Sequence, residues 1–335
     1  MSNSTMIYPR RTLQSLFLVV LAAGAGLVPA AEVTEWTNET IVEGLSATKQ
    51  PMASKATVLG VASAGDRLVA VGDHGVILLS DPGDQEFRQA KHVPTRTTLT
   101  AVHFIDDKRG WTVGHQGVVL STEDGGENWS LARSGIVEEP LFTVWFENEQ
   151  HGFAGGRFAT LLETTDGGEN WEKIDIFREG DEVERNLFHI FAAPDGRLYI
   201  AAEMGTVYVS EDNGAVWNPV DTGYGGSFWA GIALTDGIVI VVGMRGSIYR
   251  SVDKGTSWER VELDLKASLT DIIQLQDGKL VIVGMDGAIA ESADLGKAFS
   301  LQEHPERLSF TAVVERPNGD YQLFGKSGVV GWKYR

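Results

Sequence analysis

The sequence predicts an all-β fold, a seven-bladed β-propeller, and three recurrences predict it. The first is Thr-Glu-Asp-Gly-Gly-Glu-Asn-Trp from Thr122 to Trp129, which returns as Thr-Thr-Asp-Gly-Gly-Glu-Asn-Trp from Thr164 to Trp171. Looser copies follow at Ser210, Asp212, Gly214 and Trp217, at Ser251, Asp253, Gly255 and Trp258, and at Ser292, Asp294, Gly296 and Phe299. The second is a Gly-x-x-Gly turn that begins at Gly72, Gly114, Gly243, Gly284 and Gly325, with one glycine kept in Gly156 to Ala159 and in Ala202 to Gly205. The third is an apolar residue 15 positions before the turn: Leu99, Leu141, Leu187, Phe228, Leu269 and Phe310, the first unit being one residue shorter. Turn starts lie 41 to 46 residues apart and make seven units. A repeat of this length marks a solenoid, propeller or array.

Within a unit the apolar pattern has period two, as in Leu99 to Phe104, Trp111 to Val113, Val118 to Leu120 and Trp129 to Leu131. Asp-Asp-Lys-Arg-Gly, Gly-His-Gln-Gly and Glu-Asp-Gly-Gly-Glu separate these stretches, so each unit reads as four short strands joined by turns. Four strands per unit of this length is a propeller blade. The recurring Ser/Thr-x-Asp motif is an Asp box, expected between the third and fourth strands. Its side chains bond the turn, its glycine supplies a positive φ and its aromatic packs between sheets. Asp124, Trp129, Asp166, Trp171, Asp212, Trp217, Asp253, Trp258, Asp294 and Phe299 are therefore read as structural, because a folding device is needed once per blade and an active site once. The seventh unit ends after a third strand. Glu35-Trp36-Thr37 resembles Asn128-Trp129-Ser130, so Glu32 to Thr37 is expected to close the ring as the missing outer strand.

Residues 1–31 read as a cleavable export signal: Arg10-Arg11, an apolar run from Leu16 to Leu21 and small residues ending at Ala30-Ala31. Both general secretion and the twin-arginine route fit. The mature propeller, 32–335, is then expected in a periplasm, as a monomer without a membrane anchor, since no cysteine follows the apolar run. The chain has no cysteine at all, which excludes disulfides and thiolate metal sites. Cleavage removes two arginines and no acid, taking net charge from −18 to −20 and arguing against nucleic acid as a partner.

The pairing of Val-Gly-x-x-Gly with the Asp box, clearest over Trp111 to Trp129 and Phe153 to Trp171, resembles the photosystem II stability and assembly factors. That resemblance covers the whole mature chain. It implies a lumenal or periplasmic, non-enzymatic factor that binds a membrane-protein subunit during assembly, and in bacteria without photosystems service to another envelope complex, such as a resistance-nodulation-division transporter. No cofactor is implied.

Successive loops of a four-stranded blade alternate between the two ends of the ring. The Gly-x-x-Gly turns and the loops between blades therefore share the end opposite the Asp boxes, and Arg96, Arg157, Arg185, Arg245 and Arg307 gather there with Phe158. Arginine forks hold carboxylates, which points to an acidic or C-terminal peptide. The plain alternative pairs these arginines with Glu182, Glu184, Glu203 or Asp286. Met204, Met244 and Met285 read as packing around the tunnel mouth or as an apolar lip. A second function class is a sialidase-like glycoside hydrolase with Tyr224 as nucleophile and Glu203 beside it, a known variant of that chemistry. The Arg-Ile-Pro signature and six-blade count of that class are missing, so no catalytic residue is assigned. His74 and His115 fall in adjacent turns without a third metal ligand, and His103, His151 and His189 read as structural.

Overall fold

The computed structural model of the chain describes residues 46–84, 86–132, 138–176 and 183–331. The alternating segments form seven successive antiparallel sheets. The second sheet is typical, with strands Leu99–Phe104, Gly110–Gly114, Val119–Thr122 and Ser130–Ala132 in sequence order. The innermost strands of the other six are Val58–Ala64, Leu141–Phe146, Leu187–Ala192, Phe228–Ala233, Leu269–Gln274 and Phe310–Glu315. Each packs against the next, and the seventh packs against the first, so the sheets are the blades of a closed seven-bladed propeller.

The core is divided into seven wedges. Each hydrophobic cluster lies between two successive blades, from Val69, Leu79, Leu99 and Leu120 between blades 1 and 2 to Val58, Leu78, Ala312 and Phe324 between blades 7 and 1. Because every sheet is covered on both faces, the second strands are continuous apolar runs such as Val239–Gly243, buried at every position. Among the described residues blade 7 has three strands, ending at Gly328–Val330. Its contact with blade 1 includes a hydrogen bond from Thr311 Oγ1 to the Val58 carbonyl and Phe87 edge-on to Phe324 at 5.5 Å. The expected leader and the closing strand Glu32 to Thr37 lie outside the described residues.

Each innermost strand carries a β-bulge at its second residue. At that position Thr100 and Thr270 donate to the carbonyls of Leu141 and Phe310 in the next blade, as Thr311 does to Val58. One residue further, Thr143, His189 and Asp271 accept the N–H groups of Ile190, Gly231 and Val313 across the next blade boundary, at 2.9, 3.1 and 2.9 Å. These polar staples surround the axis. Burial lowers the His189 pKa to about 4 and pushes the Asp271 carboxyl up to about 7. His103, whose Nε2 is 3.1 Å from the Phe146 carbonyl, is lowered to about 4 by burial as well.

The two motifs are built differently. In the Asp box of blade 2, Asp124 accepts the Asn128 N–H and Nδ2 at 2.9 and 2.8 Å, Thr122 Oγ1 accepts the Gly126 N–H, and Trp129 Nε1 donates to the Gly126 carbonyl. Equivalent bonds to Asp166, Asp212, Asp253 and Asp294 tie the later copies. The Ser257 hydroxyl and N–H hold the Asp253 carboxyl down at about 2. Trp129 is 1% exposed between blades 1 and 2, Trp171 and Trp217 are buried likewise, and Trp258 and Phe299 are half-buried against their neighbours. In the Gly-x-x-Gly turns the first glycine is extended, and a Cβ on Gly114 would stand 2.2 Å from the Thr98 carbonyl of the preceding loop. The last two residues are left-handed, Gln116 at φ 58° and Gly117 at 64°. Blade 3 places Phe158 and Ala159 there, at 54° and 50°, so Ala159 holds a conformation that favours glycine.

Candidate binding face

The Gly-x-x-Gly turns bond the inter-blade loops, as in Met244 N–H to the Ser227 carbonyl and Asp73 N–H to that of Thr57. The Asp boxes instead bond the turn between the first two strands, as in Gly125 N–H to the Lys108 carbonyl and Lys254 N–H to that of Gly237. The two sets occupy opposite ends of the ring, and all five arginines lie on the first.

Three of them belong to one arc over blades 3 to 5. Arg157 holds its guanidinium 4.2 Å from the centre of the Phe158 ring, which is 45% exposed. The Ala159 N–H donates to the Arg185 carbonyl at 2.9 Å and the Phe158 N–H to Asn186 Oδ1 at 3.0 Å, so the turn of blade 3 and the loop into blade 4 form one surface. Asn186 in turn donates its N–H and its Nδ2 to the Glu203 carboxylate, both at 3.0 Å. Glu203 and Met204 then border a cleft of about 470 Å³ between blades 4 and 5, whose other wall carries Tyr224 and Arg245. Arg96 and Arg307 are elsewhere on the same end. Arg96, in the loop between blades 1 and 2, donates its Nε to the carbonyl of Ser46, which precedes blade 1, and Arg307 lies between blades 6 and 7 against Gly287.

Of the expected acidic partners, Glu184, Glu203 and Asp286 do not engage these side chains, and Glu182 lies outside the described residues. Among the described residues, no carboxylate lies within 4 Å of any of the five arginines, and Arg185 Nε is buried without a hydrogen-bond partner. Glu203 is held by Asn186. The opposite end has a cleft of the same volume beside Asp195, Asp236 and Lys254, but its cation is paired, Lys254 Nζ lying 3.1 Å from Asp195. Guanidiniums without a described carboxylate set the arc apart, Arg185 giving only its Nη1 to the Val183 carbonyl: such groups cost desolvation if covered by an apolar surface and gain charge-assisted hydrogen bonds if covered by carboxylates.

The hydrolase arrangement is not formed. The Tyr224 hydroxyl donates to the Met244 carbonyl at 2.8 Å and both Glu203 oxygens are taken by Asn186, so tyrosine and carboxylate are not a nucleophile and its base. His74 occupies the left-handed position of its turn, and no group of three or more His, Asp or Glu side chains among the described residues is arranged to hold a metal.

Residues 80–257 match the family model described as photosynthesis system II assembly factor YCF48. Among curated proteins none matches the sequence. Similar solved structures include YCF48 bound to a D1 peptide, 18% identical with a TM-score of 0.66 over 85% of this chain and 94% of that one. YCF48 from Cyanidioschyzon merolae is 14% identical, with a TM-score of 0.66 over 84% and 97%. A streptogramin B lyase is 10% identical, with a TM-score of 0.71 over 84% and 94%. At these identities the structural likeness shows the shared propeller, and a lyase and an assembly factor on one fold show that the fold does not choose the chemistry.

Proposed function

The chain belongs to the photosynthesis system II assembly factor YCF48 family, and from that membership we propose that it is a non-enzymatic assembly factor holding an acidic peptide segment of a membrane-protein or envelope-complex partner. The observation that carries the reading is the arc of Arg157, Phe158, Arg185 and Arg245 without carboxylate partners among the described residues, on a chain whose net charge is −18. A family relative bound to a D1 peptide supports a peptide as the kind of ligand. The arginine and aromatic pairing supplies what interface hot spots use, a charge fork beside a rigid apolar anchor.

The sequence pattern of residues 1–31 supports export to a periplasm, where the protein would act as a monomer. In a host without photosystems, the same face would serve another envelope assembly, such as a resistance-nodulation-division transporter. Crosslinking from membranes tests the reading, comparing the unmodified protein with Arg157→Glu plus Arg245→Glu. A specific membrane-protein adduct lost in the variant, with the melting temperature unchanged, is the expected result. An adduct that persists in the folded variant removes the arginine arc from the function.

A further inference from the structure

The loop that lines the cleft between blades 4 and 5 departs from the repeat. Three residues before each innermost strand, six blades carry a long charged side chain: Lys55, Arg96, Glu138, Glu184, Lys266 and Arg307. Blade 5 has Gly225. The fold does not demand that glycine, for Gly225 is outside the left-handed region and a Cβ there would meet nothing within 4 Å. Its absence of a side chain leaves an open floor.

Beside the polar Glu203, Ser227 and Arg245, part of the wall is apolar and adaptable. Met204 is 49% exposed and faces the cleft with Met244, while the Tyr224 ring folds back over Gly226, anchored by its bond to the Met244 carbonyl and by packing on Phe228 at 5.4 Å. Thioethers and an aromatic ring accept an apolar side chain without demanding one shape. At the floor, the N–H groups of Gly225 and Gly226 donate to no acceptor among the described residues. Arg245 closes one end as a cation without a carboxylate, and the carboxylate of Glu203 is already occupied by Asn186.

We propose that this cleft is the specificity subsite of the binding face: it seats one apolar side chain of an extended peptide whose backbone crosses Gly225, with an adjacent acidic residue pairing to Arg245. The inference rests on the peptide-binding reading above and adds which residue of the peptide is read. An extended strand fits because an open glycine floor with unused N–H groups suits close backbone approach. The cleft volume of about 470 Å³ has room for a leucine or phenylalanine side chain.

The test uses fluorescein-labelled, C-terminally amidated peptides of sequence Gly-Ala-Leu-Asp-Ala-Gly, with Leu replaced by Gly and Asp replaced by Asn or Lys in parallel probes. The intact mature protein is expected to bind the Leu-Asp probe about tenfold more tightly than the Gly-Asp probe, a ratio matching burial of part of a leucine side chain. Gly225→Leu is expected to fold with an unchanged melting temperature and to lose that preference, and Met204→Ser, at an exposed side chain, to reduce it. Arg157→Glu with Arg185→Glu is expected to weaken every acidic probe alike. If the acidic probes bind equally well with Leu or Gly and Gly225→Leu makes no difference, the subsite is wrong and the arginine face stands. If the Lys probe binds best, or no acidic probe binds at all, both the subsite and the face are overturned.

Discussion

At one end of the ring Asp124, Asp166, Asp212, Asp253 and Asp294 each close a turn with nearly the same bonds, whereas at the other end turns of matching backbone carry Asp73-His74, Arg157-Phe158, Glu203-Met204 and Met244-Arg245. Side chains at the Asp-box end are spent on their own turns. Those at the opposite end are released by a backbone that needs only glycine and a left-handed neighbour, so sequence can vary there without cost to the blade. Strict repetition thus marks what the fold requires, and departure from repetition marks where a partner is read.

The contrast can be broken first at the Asp-box end. Trp129→Ala empties a wedge between blades 1 and 2 that also holds Val69 and Leu79, and should cost about 3–5 kcal/mol, read as a lower urea midpoint. Asp124→Ala or Asp166→Ala frees the exposed N–H of Asn128 or Asn170 to water, and a loss of about 0.5–1.5 kcal/mol is expected with peptide binding retained at low temperature.

A smaller effect comes from the axis, where the staples differ from blade to blade. His103 and His189 have lowered folded pKa values, so the unfolded chain binds their protons first and stability falls as pH drops from about 6.5 towards 4. Asp271 has a raised folded pKa of about 7, so its contribution runs the other way, declining as pH rises from about 4 to 7. Asp271→Asn should therefore steepen the acid-side loss of melting temperature between pH 6.5 and 4. A profile no steeper than that of the unmodified protein contradicts the assignment. The smallest change is at the variable end: Ala159→Gly relieves a left-handed alanine at φ 50° and should stabilise by about 0.5 kcal/mol or less in urea denaturation, since glycine also loosens the unfolded chain.

Much of this was legible in the sequence because it is periodic. Seven turn markers and five Asp boxes gave the blade count and strand order, and alternation of loops between ends placed the arginines. The staples at Thr143, His189 and Asp271 were not legible, because the same structural position holds threonine, histidine or aspartate and reads as noise in a motif search. Grouping the arginines also needed coordinates: Arg157, Arg185 and Arg245 fall on one arc through the Phe158, Asn186 and Glu203 contacts, while Arg96 and Arg307 lie in other loops. Gly225 was visible only as one glycine among many. Its signal is a break in a charged column, and that column appears once the innermost strands are aligned.

The division of labour between the two ends is tested most directly by measuring binding of an amidated acidic peptide alongside the melting temperature in Asp166→Ala and in Arg157→Glu plus Arg245→Glu. The first variant should melt earlier and still bind when folded, and the second should melt normally and fail to bind. Lost binding in a fully folded Asp166→Ala protein, with binding intact in the arginine variant, would contradict the account.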